Sequence, residues 1–398
     1  MTIKTKDYMK LLWGIIVILI LQSCLLKEQK TFHYTKELKE YKKITMPIDE
    51  ETFYISKSIF QFEEDGKEFL YFENTQKTLY SIITFDLEKQ VLASRISLNK
   101  EGPNGLPALN GSRPMVDNPQ LFILSQNDIG KLTLIDNKGN LLKNYDIRTP
   151  SGHFNALSLN SHFYSPSFVK DSILYLGQHI QKPNIRRDEW KELPMFFSID
   201  LRNGKYESSQ IPHPSIFQNN CRNILGGHRF CYDYNYTNER LVCSFILYDS
   251  IMVSDDLKNV KWYYAKSRNL KQMTPRLISA DGDMKSLTEY AEMPKYSHIL
   301  YDKYRDIYYR FALMPYQLKA NETPYNTLGA EEFSVIILDK DFRIIGETKF
   351  PGNKYFYKMS FIGRDGLYIS ENNLANPDFD EDKLVFACFK LEDLKDKE

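Results

Sequence analysis

The sequence predicts an all-β fold, a six-bladed β-propeller of four-stranded antiparallel blades closed by an N-terminal strand that completes the last blade. Three observations predict it. The 398 residues include 27 Tyr and 25 Phe against only 18 Gly, and flat aromatic bodies suit the pleated surface of strands. Short apolar runs recur down the chain in phrases of about 50 residues or more, which is a propeller spacing. The runs are also nearly continuous in apolar character. A strand with one wet face alternates, whereas one covered on both faces does not.

The N-terminus reads as an address. Lys4, Lys6 and Lys10 precede the apolar stretch Leu11 to Leu21, which is short for a permanent bilayer span and suits a signal peptide; an uncleaved signal anchor is the alternative. Leu21-Gln22-Ser23-Cys24 resembles the lipobox of bacterial lipoproteins. That resemblance implies a lipid-modified Cys24 as the first mature residue, so that the membrane is one partner of the chain. Leu25-Leu26-Lys27-Glu28 lacks the acidic pair associated with surface export in some such lipoproteins. The expectation is a lipid-anchored protein of the bacterial cell envelope, at the outer membrane and facing the periplasm. Residues 1–23 are the signal peptide, 24–41 a polar, lysine-rich tether, and 42–398 the propeller.

Lys42 to Ile48 follows as a lone strand, and Phe53 to Phe60 as the innermost strand of the first unit. Phe69 to Phe72, Leu79 to Phe85 and Val91 to Leu98 supply the other three. The second-strand run returns at Leu121 to Leu124 and Ile173 to Leu176, each 52 residues after the last. It returns again, at longer intervals, at Leu241 to Cys243, Ile307 to Tyr309 and Leu367 to Ile369. The third-strand runs end in Asp86, Asp136, Asp200, Asp255 and Asp339, each followed by turn residues. Such carboxylates accept hydrogen bonds from amides just beyond them, so the expected role is structural. The sixth phrase, ending with Leu384 to Phe389, lacks a fourth strand that Lys42 to Ile48 can provide, removing an open edge.

Lys100-Glu101-Gly102-Pro103-Asn104-Gly105, Tyr301-Asp302-Lys303-Tyr304-Arg305 and Tyr308-Tyr309-Arg310-Phe311, with the lipobox and the repeat, resemble an uncharacterised family of Bacteroidetes-type lipoproteins with a TolB-like six-bladed propeller. The resemblance implies fold and export and supplies no catalytic residue.

Lys+Arg and Asp+Glu both total 52, which gives no electrostatic reason to expect nucleic acid as a partner. Cys221, Cys231, Cys243 and Cys388 form no Cys-x-x-Cys pair, and no histidine lies at zinc-ligand spacing. No metal and no particular cofactor is therefore specified. A hairpin centred on Thr237 would set Cys231 opposite Cys243, as a disulfide or as two buried thiols. No His-Glu-x-x-His, Gly-x-Ser-x-Gly, phosphate-binding loop or EF-hand loop occurs, so no catalytic residue is assigned.

Connections between second and third strands share a face with connections between blades. The long segments are all of this kind: Gln178 to Leu193, Met314 to Glu331, Glu371 to Lys383, Arg148 to Ser161 and Ser267 to Tyr296. Long ordered loops are commonly functional, which marks this as the recognition face. In the last segment Asp283, Met284, Leu287, Tyr290 and Ala291 suggest a short amphipathic helix packed as a lid. Glu101 and Asn104 are candidate ligand contacts beside the channel mouth, within what is first a tight turn; Arg113 joins them. His153 and His162 are ligands, a base, or merely hydrogen-bonded. Trp190 belongs to a charged loop suited to sugar or protein contact, or simply solvated. Arg310 interrupts an apolar strand and so needs partners, as a structural clamp or a ligand contact. The leading function is recognition or scaffolding for a protein, peptide or glycan; the alternative is a hydrolase- or lactonase-type propeller enzyme.

Overall fold

Hydrophobic runs separated by Asp- and Gly-bearing turns fold back on one another as antiparallel sheets. The computed structural model describes residues 34–52, 55–75, 79–102, 105–106, 111–115, 121–126, 131–146, 157–159, 165–180, 194–208, 211, 213–214, 230–271, 284–319, 322 and 329–394. After β1 (Lys36–Pro47), the opening phrase forms a four-stranded sheet of β2 (Ile55–Glu64), β3 (Lys67–Thr75), β4 (Leu79–Asp86) and β5 (Val91–Asn99). A second is β6 (Gly111–Pro114), β7 (Leu121–Gln126), β8 (Lys131–Asp136) and β9 (Leu141–Asp146). A five-stranded sheet follows: β10 (Leu157–Leu159), β11 (Phe168–Lys170), β12 (Ile173–Ile180), β13 (Phe196–Asp200) and β14 (Tyr206–Ser208), with β10 and β11 both on β12. The next four-stranded sheet is β15 (Phe230–Asn235), β16 (Arg240–Phe245), β17 (Ser250–Ser254) and β18 (Lys261–Tyr264).

Helix α1 (Met284–Ala291) precedes β19 (Lys295–Asp302), β20 (Ile307–Leu313), β21 (Phe333–Leu338), β22 (Ile344–Phe350), β23 (Phe356–Gly363), β24 (Gly366–Ser370) and β25 (Lys383–Asp393). With β1 these strands form one eight-stranded sheet in the order β19-β20-β21-β22-β1-β25-β24-β23. Its two halves meet at β1, which pairs antiparallel with β25 along its length and in parallel with β22 at Lys36 and Gly346. The fold is all-β, and the N-terminal strand completes the sheet begun by the last three strands.

β1 begins six residues before the Lys42 expected from sequence. Its first half is polar because one side faces solvent, so Leu38 alone of that half enters the core, joined later by Ile44 and Met46. The pairing register shifts between Glu40 and Lys42, a bulge that turns Tyr41 outward under Lys390, whose Nζ is 3.2 Å from the ring centroid.

The core lies between sheets. Phe60, Tyr71 and Ile82 of the first pack on Ile135 of the second; Leu132 and Tyr145 of the second pack on Leu174 and Phe197. Phe168 and Phe196 meet Phe230 and Tyr232, and Val242 and Ile251 meet Tyr296 and Tyr308. The series returns to its start where Ile44 and Phe361 pack on Ile59 and Phe72. A second contact repeats at four places around the series: an outer strand leans on a tight turn of the following sheet. Ile96 and Leu98 flank Gly139, Tyr145 Oη donates to the Leu201 carbonyl at 2.8 Å, and Tyr263 packs on Phe342 with ring centroids 4.7 Å apart. The Thr45 amide of β1 likewise donates to Gln90 Oε1 at 2.8 Å.

The turn carboxylates behave as expected, with one change of residue. Asp86 Oδ1 accepts from the amides of Glu88 and Lys89, Asp136 Oδ1 from Lys138 and Asn140, and Asp339 Oδ1 from Asp341 and Arg343. In the fourth sheet Asp256, not Asp255, takes the amides of Lys258 and Asn259, at 2.9 and 2.7 Å. Asp255 pairs instead with Arg240 and Lys261. Two adjacent acids made the sequence pattern ambiguous.

The hairpin of β15 and β16 corrects the cysteine expectation. Its loop has four residues, Tyr236 to Glu239, with Asn235 opposite Arg240. An even loop centres the register between residues, so Cys231 faces Ser244 and Cys243 faces Tyr232. The two side chains therefore point to opposite faces of the sheet, so they form no disulfide with each other, and both are buried.

Candidate recognition face

Three strands lose register near their N-terminal ends: β2 between Ile55 and Ile59, and the two edges of the eight-stranded sheet, β19 between Tyr296 and Ile299 and β23 between Phe356 and Ser360. Bulges re-aim side chains. In β19 the looped residues are Ser297 and His298, and these bridge to β23. Ser297 Oγ lies 3.1 Å from His298 Nδ1, and His298 Nε2 lies 2.9 Å from Ser360 Oγ. The ring stacks on Phe311 at 3.9 Å. Burial, with Lys358 nearby, pushes His298 down to about 3, so the imidazole is neutral at physiological pH and acts as a spacer between strands.

That neutrality has a testable cost. An unfolded histidine takes up its proton near pH 6.5, whereas folded His298 does not until about pH 3. The unfolded state binds more protons throughout that window, so stability falls as pH falls through it, by about 1.4 kcal/mol per unit. Urea titrations at pH 7 and pH 5 are expected to differ by about 2 kcal/mol more in the wild type than in His298→Gln. Equal pH dependence in the two proteins would remove His298 from the account. Glu63, held down at about 2 by hydrogen bonds from Lys303, Tyr304 and Arg364 that outweigh its burial, loses its contribution only as pH falls below the ordinary carboxylate range.

Beyond the bulges the long segments are stitched to one another. Glu331 accepts from Tyr357 Oη at 3.1 Å and from the Gly329 amide at 3.0 Å. Asn373 Nδ2 donates to the carbonyls of Gly329 and Tyr355, at 2.8 and 3.2 Å. Lys295 is buried and its Nζ donates to the carbonyls of Tyr290, Ala291 and Met293. It thereby caps the C-terminus of α1, where a cation is favoured. Burial still pulls its amine down to about 8. The predicted helix is present and is fastened at that end.

The connection from β24 to β25 has the most defined shape. Asn372 Nδ2 donates to the Lys383 carbonyl and its Oδ1 accepts from the Val385 amide at 2.7 Å. Asn373 Oδ1 accepts from the Ala375 amide at 3.0 Å. Asn376 Nδ2 donates to the Glu371 carbonyl and its Oδ1 accepts from the Asp378 amide. Glu371 in turn accepts from Lys43 Nζ at 2.8 Å, tying the loop to β1. These bonds hold Leu374 at 85% exposure, with Phe379 also exposed. Asparagine side chains satisfy the loop's backbone and leave an apolar tip in water.

The opposite ends of the same strands close on themselves. Tyr304, in the β19–β20 turn, donates to Glu63 Oε1 of β2 at 2.6 Å and lies 3.1 Å from Glu68 Oε1 of β3. Arg364, in the β23–β24 turn, donates through Nη2 to Glu63 Oε2 at 2.6 Å and through its amide to Glu68 Oε1 at 2.9 Å. Arg305 Nη2 reaches the Arg364 carbonyl at 2.6 Å. Three hairpin turns distant in sequence thus meet in one charged knot.

Arg310 is a clamp. It is fully buried on β20, and its Nε donates to Ser244 Oγ at 3.0 Å. Nη1 donates to the carbonyls of Asp249 and Ala265, at 3.0 and 2.9 Å, and Nη2 to those of Phe245 and Tyr248, at 3.4 and 2.5 Å. The guanidinium lies 3.6 Å from the centroid of Tyr296, whose hydroxyl donates to Asp249 Oδ1 at 2.6 Å. Burial lowers its pKa to about 10, leaving it charged. All five donors are used within the fold, so the ligand-contact reading is set aside in favour of the clamp. Glu347 plays a similar part on β22: it accepts from Ser267 and Ser334 hydroxyls, Asn269 Nδ2 and the Arg268 amide.

Of the other sequence candidates, Glu101 is exposed at a turn in which Gly102 takes φ +98° and the Gly105 amide bonds to the Gly102 carbonyl. Arg113 sits on β6 opposite Ile123. Cys24, Asn104, His153, His162 and Trp190 lie outside the described residues. The structure does not bring Glu101 and Arg310 together: one is surface, the other core. Sequence reasoning missed His298 and Leu374. The cluster Glu371-Asn372-Asn373-Leu374-Ala375-Asn376 carried the signal for the loop, since closely spaced asparagines favour side-chain-to-backbone turns. Among the described residues no helix is long and apolar enough to cross a membrane.

A family described as a domain of unknown function (DUF4221) matches residues 35–349. The crystal structure of a member of that family from Bacteroides vulgatus is 53% identical, has a TM-score of 0.86, and the match covers 91% of this chain and 100% of the other. A candidate exported protein of Bacteroides fragilis is similar in fold, at 11% identity and a TM-score of 0.51, over 90% of this chain and 96% of the other. No curated protein matches the chain.

Proposed function

The chain belongs to the DUF4221 family, a family of unknown function, and from that premise we propose that it is a lipid-anchored envelope protein whose propeller recognises a protein, peptide or glycan on the face bearing its long loops. The eight-stranded sheet is read as two four-stranded blades joined at Lys36 and Gly346, and the five-stranded sheet as one blade with a split first strand. That gives six blades of the TolB-like kind, with β1 completing the last. Residues 1–23 act as the signal peptide, and Cys24 carries the lipid at the outer membrane, facing the periplasm.

The observation that carries the reading is the loop between β24 and β25. Its asparagines fix the backbone in advance while Leu374 stands 85% exposed. A preordered loop loses little entropy on binding, and an apolar residue at its tip gains most from being covered. The test is a crosslinked pull-down of the lipidated protein from native membranes, in wild type and in Leu374→Asp/Phe379→Asp. A specific partner or glycan recovered by the wild type is expected to fall at least tenfold in the double variant, about 1.4 kcal/mol or more of binding. Equal recovery by both proteins, or no specific partner with either, would defeat the proposal.

A further inference from the structure

We infer that the rim of tight turns between third and fourth strands faces the bilayer, with the exposed aliphatic residues just beyond two of those turns resting on lipid and the long-loop face pointing away. The inference rests on Cys24 being the anchor. Its structural basis is where the chain enters the fold. In other sheets the third and fourth strands are joined by a short turn: Asp86 to Gln90, Asp136 to Asn140, Asp200 to Lys205, Asp339 to Arg343. In the last, β25 and β1 are not joined, and their ends occupy that turn's place. The Leu394 amide donates to the Thr35 carbonyl at 2.8 Å, and Lys36 Nζ pairs with Asp393 at 2.6 Å. The chain therefore leaves the fold at a turn position of this rim.

Twelve residues, Leu25 to Lys36, carry the chain from Cys24 to the start of β1. Fully extended they span roughly 43 Å, and as a flexible coil about 20 Å. A tether of that length keeps its own exit point within that reach of the lipid, and every other point of the fold further from it on average. The same rim exposes Val91 and Leu92 at the start of β5, and Leu141 and Leu142 at the start of β9. These are the two sheets that follow β1 around the series. Lys89 and Lys138 are exposed beside them, suited to snorkel toward phosphate while the aliphatic groups meet the interface, whereas Lys143 is held by the Leu201 and Arg202 carbonyls. Leu374 belongs to a connection of the other face.

The test places an environment-sensitive fluorophore at Leu142→Cys or at Leu374→Cys, each on a Cys221→Ser background, in lipidated full-length protein reconstituted into phospholipid vesicles. Quenching by nitroxide lipids is read with flotation of the same sample. Flotation with at least threefold stronger quenching at position 142 is the expected result. Flotation with equal quenching, or stronger quenching at 374, overturns the orientation alone. Failure to float overturns the anchor and the orientation with it.

Discussion

Replacing Arg310 with Met is expected to destabilise the protein by on the order of 3–5 kcal/mol, because several buried acceptors lose their donor at once. The side chain donates to Ser244 Oγ and to the carbonyls of Phe245, Tyr248, Asp249 and Ala265. Methionine fills much of the volume but satisfies none of these acceptors, and each buried unpaired acceptor costs about 1–3 kcal/mol before water or relaxation intervenes. Arg310→Lys should recover little, since one ammonium has three donors and cannot reproduce the planar fork. Urea unfolding monitored by tryptophan fluorescence measures it, as a lower midpoint at similar slope. A change below about 0.5 kcal/mol, the range of an ordinary surface substitution, would mean the clamp is not needed.

Deleting residues 25–50 is expected to abolish cooperative folding altogether. β1 supplies Leu38, Ile44 and Met46 to cores that it shares with the first and last sheets. Its loss exposes the backbone edge of β25, an open edge of the kind that invites aggregation. Its hold on β22 is sharper than its length suggests. A Cβ on Gly346 would stand 2.1 Å from the Lys36 carbonyl oxygen, so Gly346→Ala must push β1 away. That removes the Thr35 amide bond to the Ile345 carbonyl and the Leu38 amide bond to Thr348 Oγ1, both 2.7 Å. Calorimetry should show no cooperative transition for the deletion and a clearly lower Tm for Gly346→Ala. Cooperative melting of the truncated protein at an unchanged temperature would contradict closure by β1.

Much of the fold was legible because each repeat writes the same physics again. Runs such as Phe69 to Phe72 and Ile307 to Tyr309 are apolar on both faces, and Asp86, Asp136 and Asp339 sit where turns begin. What could not be read was what one repeat does to another. The first half of β1 is polar because one side faces solvent, so local pattern gave no reason to start the strand at Lys36. Register in the β15–β16 hairpin depends on whether its loop holds an odd or even number of residues, and one residue decides whether Cys231 and Cys243 share a face of the sheet. The site was harder still. Arg310 was visible as a charge in an apolar strand, but its role depends on acceptors about 45 to 66 residues earlier in the chain. His298 bridges to Ser360, 62 residues on, through a bulge that no composition announces.

The claim at the centre of this account is that recognition occurs on the long-loop face. Photo-crosslinking in living cells tests it most directly, with a photoreactive amino acid placed at Leu374 or at Leu142 of the lipidated protein. The account predicts a discrete crosslinked adduct from Leu374, to one protein or glycan species, and from Leu142 only lipid. A discrete macromolecular adduct from Leu142 with none from Leu374 would contradict it.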